Sequence, residues 1–196
     1  VGGVLGVATG QTYSYLSFSG TISARKFGGG IAGVAASQTT GYYAHFAISN
    51  SHSSGTISAS ADYVGGLMGG STGSLPISLV ASIDTCSSDA NVSTNGTNSK
   101  GAGGLVGDLA STTVINSYAT GTVQSITNTS NGGGTGGFAG GVDSSSISGS
   151  YATGNVSAEY NSVGGFVGKM KNLTLTNSYA TGTVSSPGET AQSCGR

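Results

Sequence analysis

The sequence predicts an all-β fold, a β-solenoid (parallel β-helix) of about six glycine-rich coils with polar loop insertions. Three observations predict it: a six-fold internal repeat, apolar clusters of β-forming residues at fixed places in each repeat, and a composition that disfavours helices. Of the 196 residues, 37 are Gly, and Gly costs about 1 kcal/mol per helical position relative to Ala. Internal repeats with a period of about 20 to 50 residues are typical of solenoids and related arrays.

The repeat is most regular in the C-terminal half of the chain. Its first half reads GGLVG (103–107), GGFAG (136–140) and VGGFVG (163–168), and its second half reads NSYATGTV (116–123), GSYATGNV (149–156) and NSYATGTV (177–184). Earlier copies begin at VGGVLG (1–6), GGIAG (29–33) and VGGLMG (64–69). We therefore predict six units, at 1–26, 27–62, 63–99, 100–133, 134–161 and 162–186, followed by a C-terminal tail at 187–196.

Aligned columns explain why the units should stack. The position after Gly-Gly is always apolar, and so is the position two residues past the second-half Gly. The first column is Val4, Ile31, Leu67, Leu105, Phe138 and Phe166, and the second is Ile22, Ile57, Val92, Val123, Val156 and Val184. Such short clusters favour strands over helices. One unit cannot bury its own apolar face, whereas stacked units bury a continuous core.

The units differ in length, and we expect the extra residues to lie in polar segments. The inserts fall at 34–49 and 70–84, and polar loops are expected at 93–102 and 124–136. Variation confined to such segments is how surface loops behave on a regular scaffold. A flexible Gly/Ser linker is the alternative for this composition, but the regular return of apolar clusters argues against it.

Charge and hydropathy exclude several classes of partner. Only 7% of the residues are charged and the net charge is −1, so no basic surface for nucleic acid is expected. No apolar run approaches the length of about 18 residues needed for a transmembrane helix, so no membrane span is expected. The chain starts at Val1 rather than Met, which suggests a mature or excised piece of a longer precursor.

The pattern GGLVG followed by NSYATG-x-V resembles the GLUG repeat of large bacterial and archaeal surface proteins. These include adhesin-like chains and some secreted peptidases of the IgA-protease type. The resemblance covers most of residues 1–185. It implies an extracellular or cell-surface, stalk- or adhesin-like role, and it carries over no catalytic residue. We therefore expect a non-catalytic structural or adhesive protein without cofactors, whose partners are further copies stacked end to end, flanking repeats, or a surface glycan.

An ice-binding protein is the alternative hypothesis. If the Val123-type residues point inward, strict alternation along a strand places the flanking residues outward. The resulting ladder is Thr21, Thr56, Thr120, Thr122, Thr153, Asn155, Thr181 and Thr183, which resembles insect-type ice-binding surfaces. Asp89, Asn91 and Asn155 interrupt this array. A third class, a carbohydrate-processing β-helix enzyme, would need clustered carboxylates in one groove.

The remaining chemistry-bearing residues favour structural roles. Gly28, Gly30 and Gly33 form a literal G-x-G-x-x-G, but this is one copy of the repeat motif and no helical pattern follows it. The acids at 84, 89, 108 and 143 are expected in solvated loops. His52 falls in the column of three tyrosines, at 118, 151 and 179, and His45 has no partner in sequence for a metal site.

The two cysteines leave two possibilities open. Cys86 and Cys194 could form one disulfide, within or between chains, and the sequence does not choose between these. Cys86 has no recognisable base beside it in sequence, so a nucleophilic role is not expected.

Overall fold

The computed structural model describes residues 1–36, 45–72, 80–126, 133–159, 162–187 and 194–195. These residues are all-β, with parallel strands in two curled sheets of 10 and 14 strands. The all-β class predicted from the repeat, the apolar clusters and the Gly content is confirmed. The described residues contain no helix that could cross a membrane.

The strands are short and follow one another closely. They are β1 (Leu5–Ala8), β2 (Thr12–Ser14), β3 (Ser17–Ala24), β4 (Gly28–Gly29), β5 (Ala32–Ala36), β6 (His45–Ser49), β7 (His52–Gly65), β8 (Met68–Thr72), β9 (Val80–Asp84), β10 (Ser87–Ser88), β11 (Asn91–Gly103), β12 (Val106–Ala110), β13 (Thr112–Ile115), β14 (Tyr118–Ala119), β15 (Val123–Ser125), β16 (Thr135–Gly136), β17 (Ala139–Ser148), β18 (Tyr151–Ala152), β19 (Val156–Ala158), β20 (Val163–Gly164), β21 (Val167–Thr176), β22 (Tyr179–Ala180), β23 (Val184–Ser185) and β24 (Cys194–Gly195).

Pairing sorts these strands into five rows, which we call A to E in chain order. Row A contains β1, β5, β8, β12 and the first halves of β17 and β21; row B contains β2, β6, β9, β13 and their second halves. Row C contains the starts of β3 and β7 with β10, β14, β18 and β22. Row D contains the end of β3, the middle of β7 and the start of β11, with β15, β19 and β23. Row E contains β4, the ends of β7 and β11, β16, β20 and β24.

Within a row, each strand pairs with the equivalent strand of the next repeat unit. In row D, Val92 lies opposite Val123, Val123 opposite Val156, and Val156 opposite Val184. In row E, Gly65 lies opposite Gly103. These registers join the residues that sequence alignment places in one column.

The first residue of the NSYATG-x-V motif forms a corner of the chain. Asn116 and Asn177 have φ values of 50° and 49°, and Gly149 holds the same place with φ 61°. Residues with positive φ are uncommon unless they are Gly, Asn or Asp. The motif therefore starts with a residue that turns the chain from row B into row C.

The serine after this corner links successive units. The Ser117 amide donates to Ser150 Oγ at 3.2 Å, and that hydroxyl donates to the Ser148 carbonyl at 3.0 Å. The Cys86 amide donates to Ser117 Oγ in the same way. Ser117 and Ser150 are buried. Each such serine satisfies a buried amide of one unit and a carbonyl of its own, groups that would cost about 1–3 kcal/mol if left unpaired.

The glycine of the motif permits close approach between units. A Cβ on Gly121 would lie 2.0 Å from the Ala90 carbonyl oxygen, and one on Gly154 would lie 1.9 Å from that of Gly121. The valine two residues later points inward, so Val123 and Val156 are each only 1% exposed. The core divides into a cluster under rows A, B and C and another under rows D and E.

The expected loops prove more regular than predicted. Residues 93–102 belong to β11, which pairs with β7 through two register irregularities. The expected inserts at 34–49 and 70–84 contain β6 and β9, whose Phe46, Ile48 and Ile83 are buried in the core. The loop predicted at 93–102 is therefore wrong, because this segment continues β11 and pairs with β7. The inserts at 34–49 and 70–84 include the row B strands of their units. The parts of the inserts at 37–44 and 73–79, and the part of the 124–136 loop at 127–132, lie outside the described residues.

Candidate functional site

The predicted ladder occupies two outward columns on rows C and D. Thr21, Thr56, Asn91, Thr122, Asn155 and Thr183 form the row D column, and Thr120, Thr153 and Thr181 belong to the column before it. All eight predicted ladder residues are exposed. The chain bends at Gly121, Gly154 and Gly182 between the two columns. Parallel strands lie about 4.8 Å apart, so this face repeats polar groups at that spacing.

The asparagines of the ladder tie units together. The Asn91 side-chain oxygen accepts from the Thr122 amide at 3.1 Å and from the Thr122 hydroxyl at 2.8 Å. The Asn155 oxygen accepts from the Thr183 amide at 2.9 Å. The asparagines that seemed to interrupt the threonine array therefore accept hydrogen bonds from amides of the next unit.

A tyrosine stack shares this outward face. Tyr118 and Tyr151 have ring centroids 4.8 Å apart and parallel planes, and Tyr151 and Tyr179 are 5.3 Å apart. Tyr179 is 55% exposed. Because these rings project beside the threonines, the face combines a polar ladder with an aromatic ridge.

His52 lies in the same column as the tyrosines, as predicted, and has two polar neighbours. Its Nδ1 is 2.9 Å from Ser87 Oγ, and its Nε2 is 3.7 Å from Asp89 Oδ1. Ser87, His52 and Asp89 are the residue types of a catalytic triad, in which a serine is the nucleophile, a histidine the base and an aspartate the orienting acid. However, the amides of Ser87 and Asp89 donate to the Ser51 and Ser53 carbonyls, so neither can stabilise an oxyanion. A structural role for His52 is favoured.

Cys86 has a buried, free thiol. Its Sγ is 3.3 Å from the Asp84 carbonyl oxygen and 3.5 Å from that of Ile48. Burial, reinforced by the Asp84 carboxylate, raises the pKa of the Cys86 thiol to about 11. A thiol in this environment is a weak nucleophile at neutral pH. The side chain of Cys194 lies outside the described residues, so the Cys86–Cys194 disulfide stays a prediction.

A cleft that the sequence did not reveal lies between rows E and A. It is lined by Tyr63, Asp108, Gly133, Gly141, Val142, Asp143, Lys169, Met170 and Lys171, and its volume is about 260 Å³. Tyr63 lies in β7 and Asp108 in β12. The residues from 141 to 143 lie in β17, those from 169 to 171 lie in β21, and Gly133 lies just before β16. Lys100 lies beside it, with its Nζ 2.8 Å from Asp62 Oδ1 and 5.9 Å from the centre of the Tyr63 ring.

Asp108 is central to this cleft. It lies in strand β12, opposite Gly70 on one side and Gly141 on the other. Burial, followed by the negative charge of Asp143, raises the pKa of Asp108 to about 6, against an opposing effect of Lys100. Burial and the Asp108 carboxylate likewise raise the pKa of Tyr63 to about 12. The expectation of a solvated loop acid was therefore wrong for Asp108.

Other sequence-level candidates stay apart from the cleft. Asp84 ends strand β9 and Asp89 is exposed between β10 and β11. Gly28 lies in β4, Gly33 lies in β5 and Gly30 lies between them, so a strand stands where a dinucleotide fingerprint requires a helix. Within the described ranges, no group of three or more His, Cys, Asp or Glu residues is placed to hold a metal ion. The structure describes the backbone of His45 in β6 but not its side chain.

Comparisons with protein-family models, curated proteins and solved structures found no match for this chain.

Proposed function

We propose that the chain is a β-solenoid segment of six coils that acts as a non-catalytic structural and adhesive repeat at the cell surface. In this proposal each repeat unit is one coil, and rows A to E are its five sides. The support is the pairing of every row with the equivalent row of the next unit. The extracellular location rests on the resemblance to GLUG repeats.

The observation that carries an assembly role is the exposed interior of unit six. Leu175 is 44% exposed, whereas Ile147, its partner one unit earlier in the same column, is 1% exposed. Met170 is 69% exposed and its partner Val142 is 4% exposed. An apolar face with open strand edges is a template for a further strand layer. Stacking on a second copy, or on flanking repeats, would bury it.

Glycines at both end faces provide a test that leaves the isolated chain intact. In the column of Gly137, a Cβ would lie 2.2 Å from the carbonyl oxygen of the next unit, but at Gly165 it meets only side chains, at 3.3 Å. In the column of Gly69, a Cβ would lie 2.4 Å from the carbonyl oxygen of the preceding unit, but at Gly6 it meets nothing within 4 Å. Ala at either end would thus collide only with an incoming unit.

We expect the 196-residue chain to associate end to end and to form rods in negative-stain micrographs. Gly165→Ala and Gly6→Ala should each remove this association in sedimentation velocity, because each blocks one of the two joining faces. Thr174→Ala, an exposed outward position in unit six, is the matched control and should associate like wild type. A wild-type chain that remains monomeric at millimolar concentration would contradict self-stacking and would favour coverage by flanking repeats.

Ice binding is the second candidate function, favoured by the exposure and regular spacing of the threonine ladder. If the ladder binds ice, wild type should show thermal hysteresis that Thr122→Tyr and Thr183→Tyr abolish, since a bulky ring breaks the flat array. Thr113→Tyr, on the outward side of row B, is the control. Loss of hysteresis in the control as well, or none in wild type, would exclude this function. The tyrosine ridge beside the ladder argues for the structural role.

A further inference from the structure

The cleft around Asp108 is not explained by the stacking of repeat units. Packing of one repeat unit on the next does not require an open space on the outer surface. Here such a space lies beside Asp108, next to Gly141. A Cβ on Gly141 would lie 2.6 Å from Asp108 Oδ1. The absence of a side chain at Gly141 leaves room beside the Asp108 carboxylate, in the same space that Tyr63 lines.

The charged residues of the chain concentrate at this cleft. Only 7% of the sequence is charged, yet Asp108, Asp143, Lys169 and Lys171 all line this one space. Lys171 and Asp143 approach within 3.6 Å. Acidic acceptors and ammonium donors therefore face each other across a small opening, on a surface otherwise rich in Ser and Thr.

We propose that this cleft binds one ring of a neutral pyranose sugar chain. Vicinal sugar hydroxyls are donors and acceptors at once, so they suit a site that offers carboxylate acceptors and ammonium donors together. Tyr63 is half-buried, lies against the Phe27 ring at a centroid distance of 6.1 Å and lines the cleft, so it supplies an aromatic surface for the C–H side of the sugar ring. The volume of about 260 Å³ is below the roughly 300–1,000 Å³ of drug-sized sites, which fits a single ring.

A peptide fits this place less well than a sugar. Extended peptides are commonly held by adding a strand to a free sheet edge. Strands β12 and β17, which carry Asp108 and Asp143, are paired on both sides, so a ligand at these two carboxylates must be held by side chains. The inference rests on the adhesive role proposed above and names its ligand class.

The test is calorimetric titration of the full chain with cellohexaose, mannohexaose and xylohexaose, and with hexagalacturonate as the acidic probe. At least one neutral hexasaccharide should bind, and Asp108→Asn and Tyr63→Ala should each weaken that binding tenfold or more. Asp84→Asn, on row B, is the control and should bind like wild type. Thermal unfolding of each variant verifies that it is folded. Failure of all three neutral probes at 10 mM, binding of hexagalacturonate alone, or unchanged affinity in Asp108→Asn would each overturn the proposal.

A pH series adds a readout that a purely structural role would not move. Ionised Asp108 is the acceptor, so affinity should fall several-fold from pH 7.5 to pH 5 in wild type and stay nearly constant in Asp108→Asn. The charged and titratable groups facing it are Asp62 and Tyr63 on β7, Lys100 on β11, Asp143 on β17, and Lys169 and Lys171 on β21. Sedimentation of the same samples separates failure of sugar binding from failure of assembly. A pH-independent wild-type affinity would contradict the role given to Asp108.

Discussion

Gly137→Ala should lower the stability of the chain by about 3 kcal/mol, near the top of the range for overpacked interiors. A Cβ at this position would lie 2.2 Å from the carbonyl oxygen of Gly165 and 3.2 Å from the Cβ of Ala152. The first contact is with backbone, which can yield only if two units move apart. Gly137 is not among the residues with positive φ, so Ala is allowed by the backbone and the cost is steric.

Gly165→Ala is the matched control for this substitution. It lies in the same column, one unit later, and its Cβ would meet only Ala180 Cβ and Val184 Cγ2, both at 3.3 Å. At concentrations too low for association it should stay within about 1 kcal/mol of wild type. For a chain of this size a loss of 3 kcal/mol corresponds to a fall in Tm of about 6–12 °C. Equal Tm values for the two variants would contradict the close backbone approach between Gly137 and Gly165.

The sequence could predict the structural features that recur once in every repeat unit. The glycine and valine columns recur at matching places in each unit, and their registers, such as Val123 opposite Val156, follow from alignment alone. Serines in a chain rich in Ser and Thr look like outward polar groups. Ser117 and Ser150 are buried instead, and each hydroxyl accepts a hydrogen bond from a backbone amide of the preceding unit. No local sequence pattern indicates that hydrogen bond.

The cleft escaped prediction for a different reason. Tyr63 and Asp108 are far apart in the sequence, and they share one space only after β7 has paired with β11 and β12 with β17. Asp108 and Asp143 also occupy different columns, since Asp108 lies opposite Gly141. Column alignment, which finds the core, therefore misses a site made of residues that do not repeat. The sugar site proposed above depends on such departures from the repeat.

Val123→Asp should be among the most damaging substitutions in the chain, and the neighbouring Gln124→Asp should be nearly neutral. Val123 is 1% exposed in the cluster under rows D and E, whereas Gln124 is exposed. A fully buried carboxylate without a partner has its pKa raised by about 3 units or more, and each unit corresponds to about 1.4 kcal/mol. Val123→Asp should therefore lose about 4 kcal/mol at pH 7, measured by denaturant unfolding.

The pH dependence of this loss has a defined sign. The introduced Asp has a pKa of about 3.9 in the unfolded chain and a higher one in the folded chain, so between these values the folded state binds more protons. Stability then falls as pH rises through this window, and the gap between Val123→Asp and Gln124→Asp should be smaller at pH 4 than at pH 7.5. If both variants unfold at the same denaturant concentration at pH 7.5, strict alternation in row D is wrong. The outward ladder would then lose its physical basis, because Thr122 points outward only if Val123 points inward.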